Sequence, residues 1–250
     1  MPVNRRQGAA CEPAVEIHLL GSIAFETCLD LQQQLVYEAA GRGDGAITLL
    51  LCEHPLAVTI GRQGSRAHLH GLAKELEGLG IEPIWVNRGG GAWLHAPGQL
   101  AVYPIVPLQP HDLSVGEYLI RLQTGLFAAL AELRFEGRTI PDRFGIWGRS
   151  GQVATVGVAV KHWISYFGAY VNVSPDLAWS RSLESDHEHH TPMSSLAAER
   201  QRPVRMSSVR EAVARSLPAA LGCERCHFFT GHPYLLRHDG VHHAPAARAG

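Results

Sequence analysis

Lysine is almost absent from this chain of 250 residues. Lys74 and Lys161 are the two that occur, so arginine carries nearly all of the positive charge. A mechanism that needs a catalytic lysine therefore has two candidates. The formal net charge is −1 at pH 7, whereas proteins that bind nucleic acid usually present a basic face. The charge balance accordingly argues against a nucleic-acid partner.

Long apolar runs are also missing. No segment approaches the roughly 18 apolar residues that span a bilayer, and residues 1–13 contain two arginines without the apolar core of a secretory signal. We therefore expect a cytoplasmic protein without a membrane partner. Five cysteines are an odd number, which fits reduced thiols. Cys223 and Cys226 form one CxxC pair, by itself a weak signal for zinc or redox chemistry, and Cys52 is typical of inert core.

The pattern of apolar residues predicts both helices and strands. Helical spacing indicates a helix at 24–40. A continuous apolar run at 47–52 predicts a buried strand. Ser114, followed three residues later by Glu117, forms a capping-box pattern ahead of a helix at 115–133.

Strand patterns follow one another between residues 144 and 173, as in a meander or a series of hairpins. Helices and strands are intermixed, which favours a single domain of the α/β (α+β mixed) class, with a mixed β-sheet flanked by helices. We place this domain at 14–229. A mobile leader at 1–13 and a flexible tail at 230–250 are expected to flank it.

Residues 88–108, RGGGAWLHAPGQLAVYPIVPL, are the most informative stretch. Glycines following Arg88 allow the backbone to approach a ligand closely and to adopt positive φ. We expect the imidazole of His95, further along the loop, to be exposed. A loop of this kind suits a nucleotide, an acyl group or a cofactor arm. The alternative interpretation is a glycine-rich hairpin turn.

Four ordered blocks of the chain resemble the octanoyltransferases of lipoate synthesis, which belong to the biotin/lipoate protein ligase superfamily. The resemblance covers roughly residues 15–220. The blocks are HPLAVTIGRQGSRAHL (54–69), RGGGAWLHAPGQLAVYPIVPL (88–108), FGIWGRSGQVATVGVAVKHWISYFGAYVNVSPDL (144–177) and PMSSL (192–196).

The resemblance implies a biotin/lipoate ligase-like domain with a tunnel for an acyl chain. The implied activity is transfer of an octanoyl group from acyl carrier protein to a lipoyl-domain lysine, without a cofactor or a metal. The implied partners are octanoyl-acyl carrier protein and the lipoyl domains of 2-oxoacid dehydrogenase or glycine cleavage proteins. By position, the resemblance assigns nine residues to the acyl and lipoyl site. They are Arg88, Gly89, Gly90, His95, Pro97, Gly98, Gln99, Gly157 and Asn172. Asp176 also matches the pattern.

Four positions depart from the family pattern. Gln152 occupies the place of the family lysine, and an amide cannot exchange protons as an acid or base. The family cysteine belongs to a region that here contains no cysteine and includes the segment 186–190. Trp93 replaces a small or hydroxyl residue, and Phe167 stands where His-Gly is usual. The catalytic residues are consequently unknown.

Asp186, His187, Glu188, His189 and His190 concentrate five acid/base or metal-ligating groups where the cysteine would be. Histidine titrates near neutral pH, so these residues suggest a replacement general base or a metal site. The alternative is a solvated loop, because adjacent residues in an irregular loop seldom converge on one metal. Lys161 is expected at the tip of a hairpin and not at the site.

Three functions fit this pattern. The first is an octanoyltransferase-like enzyme. The second is a non-catalytic relative that binds an acyl chain, a lipoyl domain or acyl carrier protein. The third is a ligase-like enzyme that activates the acid with ATP, although that chemistry also needs a lysine at position 152.

Overall fold

The computed structural model describes residues 14–181 and 192–238. These residues build an eight-stranded sheet, a three-stranded sheet and the helices packed on them. The strands are β1 (Ala14–Ser22), β2 (Ile47–Glu53), β3 (Ala57–Ile60), β4 (Ile84–Trp85), β5 (Ala92–His95), β6 (Gln99–Ile105), β7 (Arg138–Ile140), β8 (Arg143–Trp147), β9 (Gln152–Lys161), β10 (Ile164–Asn172) and β11 (Arg225–Thr230). The helices are α1 (Phe25–Arg42), α2 (Ala73–Gly78), α3 (Val115–Glu132), α4 (Ala178–Arg181), α5 (Leu196–Arg200), α6 (Met206–Ala220) and α7 (Pro233–His238).

The large sheet is mixed, which confirms the predicted fold class. Its strands lie in the order β11-β1-β2-β6-β10-β9-β8-β7. β1 pairs in parallel with both β11 and β2, and the remaining pairs are antiparallel. Parallel neighbours need a crossover connection, and α1 supplies it between β1 and β2.

Helices cover both faces of the large sheet. On β2, Leu49 and Leu51 pack into the core that includes residues of α3 and α6. The alternate residues Leu50 and Cys52 pack into a second core with α1. Successive strand side chains point to opposite faces, so a strand covered on both sides must be apolar throughout. This explains the continuous apolar run from which the strand was predicted.

A tight hairpin joins β9 and β10 at the centre of the sheet. Its two turn residues, His162 and Trp163, have φ angles of 53° and 60°, the left-handed conformation that two-residue hairpins favour. Lys161 pairs with Ile164 beside this turn and is exposed. The prediction that Lys161 lies at a hairpin tip is confirmed.

The smaller sheet has the order β4-β3-β5. β3 is antiparallel to β5, with Thr59 opposite Trp93 and Ala57 opposite His95. Val58 and Ile60 of β3 are fully buried in a core of their own. This sheet fixes the entry and exit of the glycine-rich stretch.

The predicted capping box of α3 is confirmed. The hydroxyl of Ser114 accepts a hydrogen bond from the Glu117 amide at 3.2 Å, and the Glu117 carboxylate accepts from the Ser114 amide at 2.9 Å. At the other end of the chain, β11 and α7 occupy much of 225–238, so regular structure reaches into the segment expected to be a tail. The expected leader at 1–13 lies outside the described residues, as do 239–250. Among the helices of the described chain, none is long and apolar enough to cross a membrane.

Gly168, in the middle of β10, has no room for a side chain. A Cβ there would lie 2.1 Å from the carbonyl oxygen of Val102 on β6. We expect Gly168→Ala to lower the free energy of unfolding by about 2–3 kcal/mol, because overpacking a dense core forces the backbone to shift. Chemical denaturation measures this change. The matched control is Gly116→Ala on the exposed first turn of α3, where a Cβ meets nothing within 4 Å. It should be neutral or stabilising by about 0.5–1 kcal/mol, and equal losses in both variants would contradict the prediction.

Candidate functional site

The glycine loop, residues 88–91, lies between two other segments and is bonded to both. On one side the Gly89 amide donates to the carbonyl oxygen of Val158 on β9 at 3.0 Å. On the other, three backbone amides of segment 61–63 donate to loop carbonyls at 3.0–3.2 Å. Two loops that are separate in sequence therefore form one continuous wall beside β9.

Close packing explains why glycines occupy this wall. A Cβ at Gly157 would lie 2.7 Å from the Gly89 carbonyl oxygen and 2.6 Å from the Trp93 ring. Gly90 has a φ of +87°, and a Cβ there would also meet the Trp93 ring, at 2.9 Å. The loop, β9 and the indole thus touch directly, and larger residues at Gly90 or Gly157 would separate them.

Arg88 lies beneath the loop, and its side chain is fully buried. Its guanidinium donates to the Thr59 hydroxyl at 2.6 Å and to the carbonyl of Gly91 at 3.1 Å. The Trp93 ring centroid lies 3.5 Å from the guanidinium carbon, a cation–π contact. Burial lowers the pKa of Arg88 to about 10, so it remains a cation at neutral pH. Arg88 holds the loop from below.

His95 is fully buried, so the expectation of an exposed imidazole was wrong. Its ring stacks on Phe25 of α1, with centroids 4.9 Å apart, and lies 4.5 Å from the ring of Tyr170. The sequence pattern placed His95 in a loop, but the strand β5 carries it under α1. Burial holds the pKa of His95 well below its usual value, and the ring is therefore neutral.

Hydrogen bonds fix which nitrogen of His95 carries the proton. Gln99 donates its amide nitrogen to Asn172 Oδ1 at 2.9 Å, which leaves Gln99 Oε1 as an acceptor for His95 Nδ1 at 3.3 Å. Nδ1 is then protonated, and Nε2 accepts from the Thr59 hydroxyl at 2.9 Å. The donors of Gln99, His95 and Thr59 thus each meet an acceptor, whereas the Nε of Arg88 is buried without a hydrogen-bond partner among the described residues.

We call the resulting series of side chains the buried polar chain. It crosses β3, β5, β6 and β10 without a break and ends where Asn172 Nδ2 donates to the carbonyl of Ser194 at 3.0 Å. Its members, in order of donation, are Arg88, Thr59, His95, Gln99, Asn172 and Ser194.

The Pro97–Gly98 turn continues the wall at its far end. Gly98 has a φ of +87°, and a Cβ there would lie 2.7 Å from the backbone of Ser174. Its amide donates to the Glu53 carboxylate at 2.9 Å. Pro97 itself is exposed. The turn thus joins the ends of β2 and β10.

The two bulky departures from the family pattern lie in different places. Trp93 is half-buried and fills the space between Arg88 and Gly157. Phe167 is buried in the core under α1, with a φ of +57°, and its amide donates to Gln32 Oε1 at 2.8 Å. Trp93 therefore shapes the wall directly, whereas Phe167 packs behind it.

Gln152 begins β9, and its side-chain amide donates to the carbonyl of Ala154 at 3.1 Å. Its backbone amide donates to the Pro192 carbonyl at 2.8 Å, and its carbonyl accepts from the Ser194 amide at 2.9 Å. The segment 186–190 lies outside the described residues. The chain that follows this segment is nevertheless tied to the backbone of Gln152, beside the end of the buried polar chain.

Sequence reasoning missed a second anchor at this place. Glu199 accepts hydrogen bonds from the hydroxyls of Ser150 and Ser194, the latter at 2.7 Å, and from the amide of Arg149 at 2.8 Å. Burial tends to raise the pKa of Glu199, but the hydrogen bonds from Ser150 and Ser194 outweigh it and lower the pKa. The spacing between residues 150 and 199 offered no signal for this contact. Asp176, which the family pattern also matched, accepts a hydrogen bond at 2.9 Å from the amide of Ala178, the first residue of α4.

The chain is similar to known proteins along most of its length. Residues 25–218 match the model of the lipoyl protein ligase A/B catalytic domain. An octanoyltransferase of Geobacter metallireducens is 37% identical over 202 residues, which cover 81% of this chain and 91% of that protein. An octanoyltransferase of Syntrophobacter fumaroxidans is 32% identical over 78% of this chain and 85% of that protein.

Solved structures of low sequence identity share the fold. A lipoate-protein ligase A bound with ATP superposes with a TM-score of 0.66 at 16% identity, over 91% of this chain and 94% of that one. A bipartite lipoate protein ligase of Thermoplasma acidophilum, described with its E2 lipoyl domain, gives 0.65 at 15% identity, over 90% and 91%. The family match, the sequence relatives and the shared fold agree, and the chain belongs to the lipoyl protein ligase A/B catalytic-domain family.

Proposed function

We propose that this chain transfers an octanoyl group from acyl carrier protein to the lysine of a lipoyl domain. The buried polar chain is the observation that supports this most directly, because it unites Arg88, His95, Gln99 and Asn172 in one wall. These are residues that the resemblance to octanoyltransferases assigns to the acyl and lipoyl site. Relatives named octanoyltransferase at 32–40% identity support the same activity.

Acyl transfer needs a base for the attacking amine. The lysine nitrogen of the lipoyl domain attacks the thioester carbonyl, the C–N bond forms, and the C–S bond to the carrier breaks. The amine loses a proton and the carrier thiolate gains one. In the described part of the wall, His95 is neutral with both nitrogens hydrogen-bonded, and position 152 is an amide. We take segment 186–190, which lies outside the described residues, as the candidate for the base, because it holds histidines and carboxylates in the region of the family cysteine.

The proposed partners are octanoyl-acyl carrier protein and lipoyl domains, including those of 2-oxoacid dehydrogenases or glycine cleavage proteins. The Thermoplasma acidophilum ligase described with its E2 lipoyl domain supports the second partner. We place the reaction in the cytoplasm, where both protein substrates would be available. The proposed reaction needs no cofactor, because the thioester is already activated.

A second candidate function is non-catalytic binding of the octanoyl group or of its carrier. The observation that favours it is the pair of changes at Gln152 and Trp93. The first removes the family's proton-exchanging group. The second fills space between Arg88 and Gly157 that a small residue would leave open.

The first test follows octanoylation of an apo lipoyl domain by intact mass, with octanoyl-acyl carrier protein as donor. We expect transfer by the wild type and a loss of about 100-fold in His187→Ala/His189→Ala/His190→Ala, because a positioned general base contributes at least that factor. The control is His70→Ala, an exposed histidine outside the residues that form the wall, which should keep the wild-type rate. Binding of octanoyl-acyl carrier protein without transfer would contradict the enzyme and support the second candidate.

The second test interrupts the buried polar chain at its hydroxyl. Thr59→Val keeps the shape of the side chain but removes the hydroxyl that joins Arg88 to Nε2 of His95, and a buried polar atom that loses its partner costs about 1–3 kcal/mol of stability. We expect at least a tenfold fall in transfer rate as the wall loses its geometry. Thr48→Val, a buried threonine on β2 outside the chain, is the matched control. Equal rates in the two variants would show that the buried polar chain does not position the site.

A third test introduces the lysine and the cysteine of the family pattern with the double variant Gln152→Lys/Asp186→Cys. We expect intact mass to reveal an octanoyl thioester on the new cysteine, because a thiolate next to a lysine is a strong nucleophile. The single variant Asp186→Ser is the control and should carry no such adduct. Failure of the double variant to become acylated would show that the pocket does not present the octanoyl carbonyl at this position.

A further inference from the structure

Two cysteines and a histidine meet behind the wall, at a place that the proposed transfer does not use. Cys28 lies on α1, Cys52 near the end of β2, and His54 just after β2. All three are buried, with at most 2% of each residue exposed. Their ligand atoms, one from each residue, all lie within 4.8 Å of one another. We call these three residues the thiol–imidazole cluster.

Two of the three pairs of ligand atoms in the cluster have the spacing of a metal centre, and the third pair lies within 4.8 Å. The two sulfur atoms are 3.9 Å apart, and Cys52 Sγ is 3.7 Å from His54 Nε2. Around a tetrahedral zinc ion with ordinary bond lengths, two sulfur ligands lie about 3.8 Å apart, and a sulfur and a nitrogen about 3.6 Å. Binding of a zinc ion would therefore require little movement of the atoms in these two pairs.

His54 presents the correct nitrogen to the cluster. Its Nδ1 lies 2.8 Å from the carbonyl oxygen of Ile23, which can only accept, so Nδ1 carries the proton. Nε2 then accepts a hydrogen bond from the Tyr103 hydroxyl at 2.7 Å, with Cys52 Sγ 3.7 Å away, and a bound ion would take the place of that hydrogen bond. Burial lowers the pKa of His54 to about 4, which keeps the ring neutral. A backbone carbonyl that fixes the tautomer is the usual support for a metal-binding histidine.

The surroundings favour a soft ion over a hard one. The cluster offers sulfur and imidazole nitrogen, ligands that suit zinc and copper(I), whereas magnesium and calcium prefer oxygen. Burial raises the pKa of Cys52 well above its usual value, so the cysteine is a thiol when no ion is present. Gln32 Nε2 donates to Cys28 Sγ at 3.9 Å and could stabilise a thiolate there.

We propose that Cys28, Cys52 and His54 bind one soft d10 metal ion, Zn²⁺ or Cu⁺, in a buried site that links α1 to β2. Each thiol that ligates the ion releases its proton, and no electron is transferred. The Tyr103 hydroxyl gives up its bond to His54 and keeps its bond to the Tyr170 hydroxyl. The site is independent of the proposed transfer, and it departs from the absence of metal expected from the sequence.

Metal titration of the reduced protein under argon tests this site. The protein carries Cys11→Ser, Cys223→Ser and Cys226→Ser, so that the cluster supplies the remaining thiols. We expect about one equivalent of Co²⁺, used as a probe for Zn²⁺, to produce thiolate-to-metal charge-transfer absorption that Zn²⁺ then displaces. Competition with a chromophoric copper(I) chelator measures the Cu⁺ affinity and decides between the two ions.

The variants Cys28→Ser and Cys52→Ser should each weaken binding at least roughly a hundredfold, since even outer-shell changes cost 10–100-fold. The ion should also raise the Tm of the parent protein through mass action. His187→Ala/His189→Ala/His190→Ala is the matched control and should keep the thiolate absorption. Tyr103→Phe, which removes the competing hydroxyl, should bind at least as tightly.

Two results would overturn the site. One is the absence of thiolate absorption with Co²⁺ together with no transfer of Cu⁺ from the chelator to the parent protein, two readouts that do not require any cluster variant to fold. The other is a mass two hydrogens below that of the reduced chain in protein isolated without reductant, which would identify a Cys28–Cys52 disulfide in place of a metal centre.

Discussion

A buried cation with a single set of partners constrains the whole candidate site. The guanidinium of Arg88 is out of contact with water, and the hydroxyl and carbonyl groups around it hold it in place. A desolvated charge is tolerated only while these bonds persist. The glycine loop therefore cannot move away from Thr59 without breaking hydrogen bonds to this buried cation. The segments bonded to the loop are held in place with it.

The direction of the hydrogen bonds adds a second constraint. Because Arg88 can only donate, the Thr59 hydroxyl is left to donate to His95, and His95 in turn donates to Gln99. If His95 were protonated, both of its ring nitrogens would be donors. Nε2 could then no longer accept the hydrogen bond from the Thr59 hydroxyl. Burial lowers the pKa of His95, which agrees with the neutral ring that these hydrogen bonds require, and His95 thereby connects Thr59 to Gln99.

The two polar groups of interest share one apolar layer. His95 and the thiol–imidazole cluster both lie between α1 and the large sheet, and Phe25 contacts the rings of His54 and His95 at 5.2 and 4.9 Å. The wall includes the glycine loop, whereas the cluster lies deeper, under α1. An ion in the cluster would fasten α1 to β2 and so support the wall from behind, without contact with the acyl group.

Local patterns were sufficient for much of the fold. Ser114 and Glu117 predicted the start of α3, and the apolar run at 47–52 predicted a buried strand. Both signals are readable from the sequence because helix capping and strand burial involve only a few consecutive residues. The ordered blocks identified the family for the same reason, since they are contiguous. The burial of His95 and the meeting of Cys28 with Cys52 were not visible in this way. They depend on α1 crossing over the sheet, and only tertiary packing brings residues so distant in sequence within bonding distance.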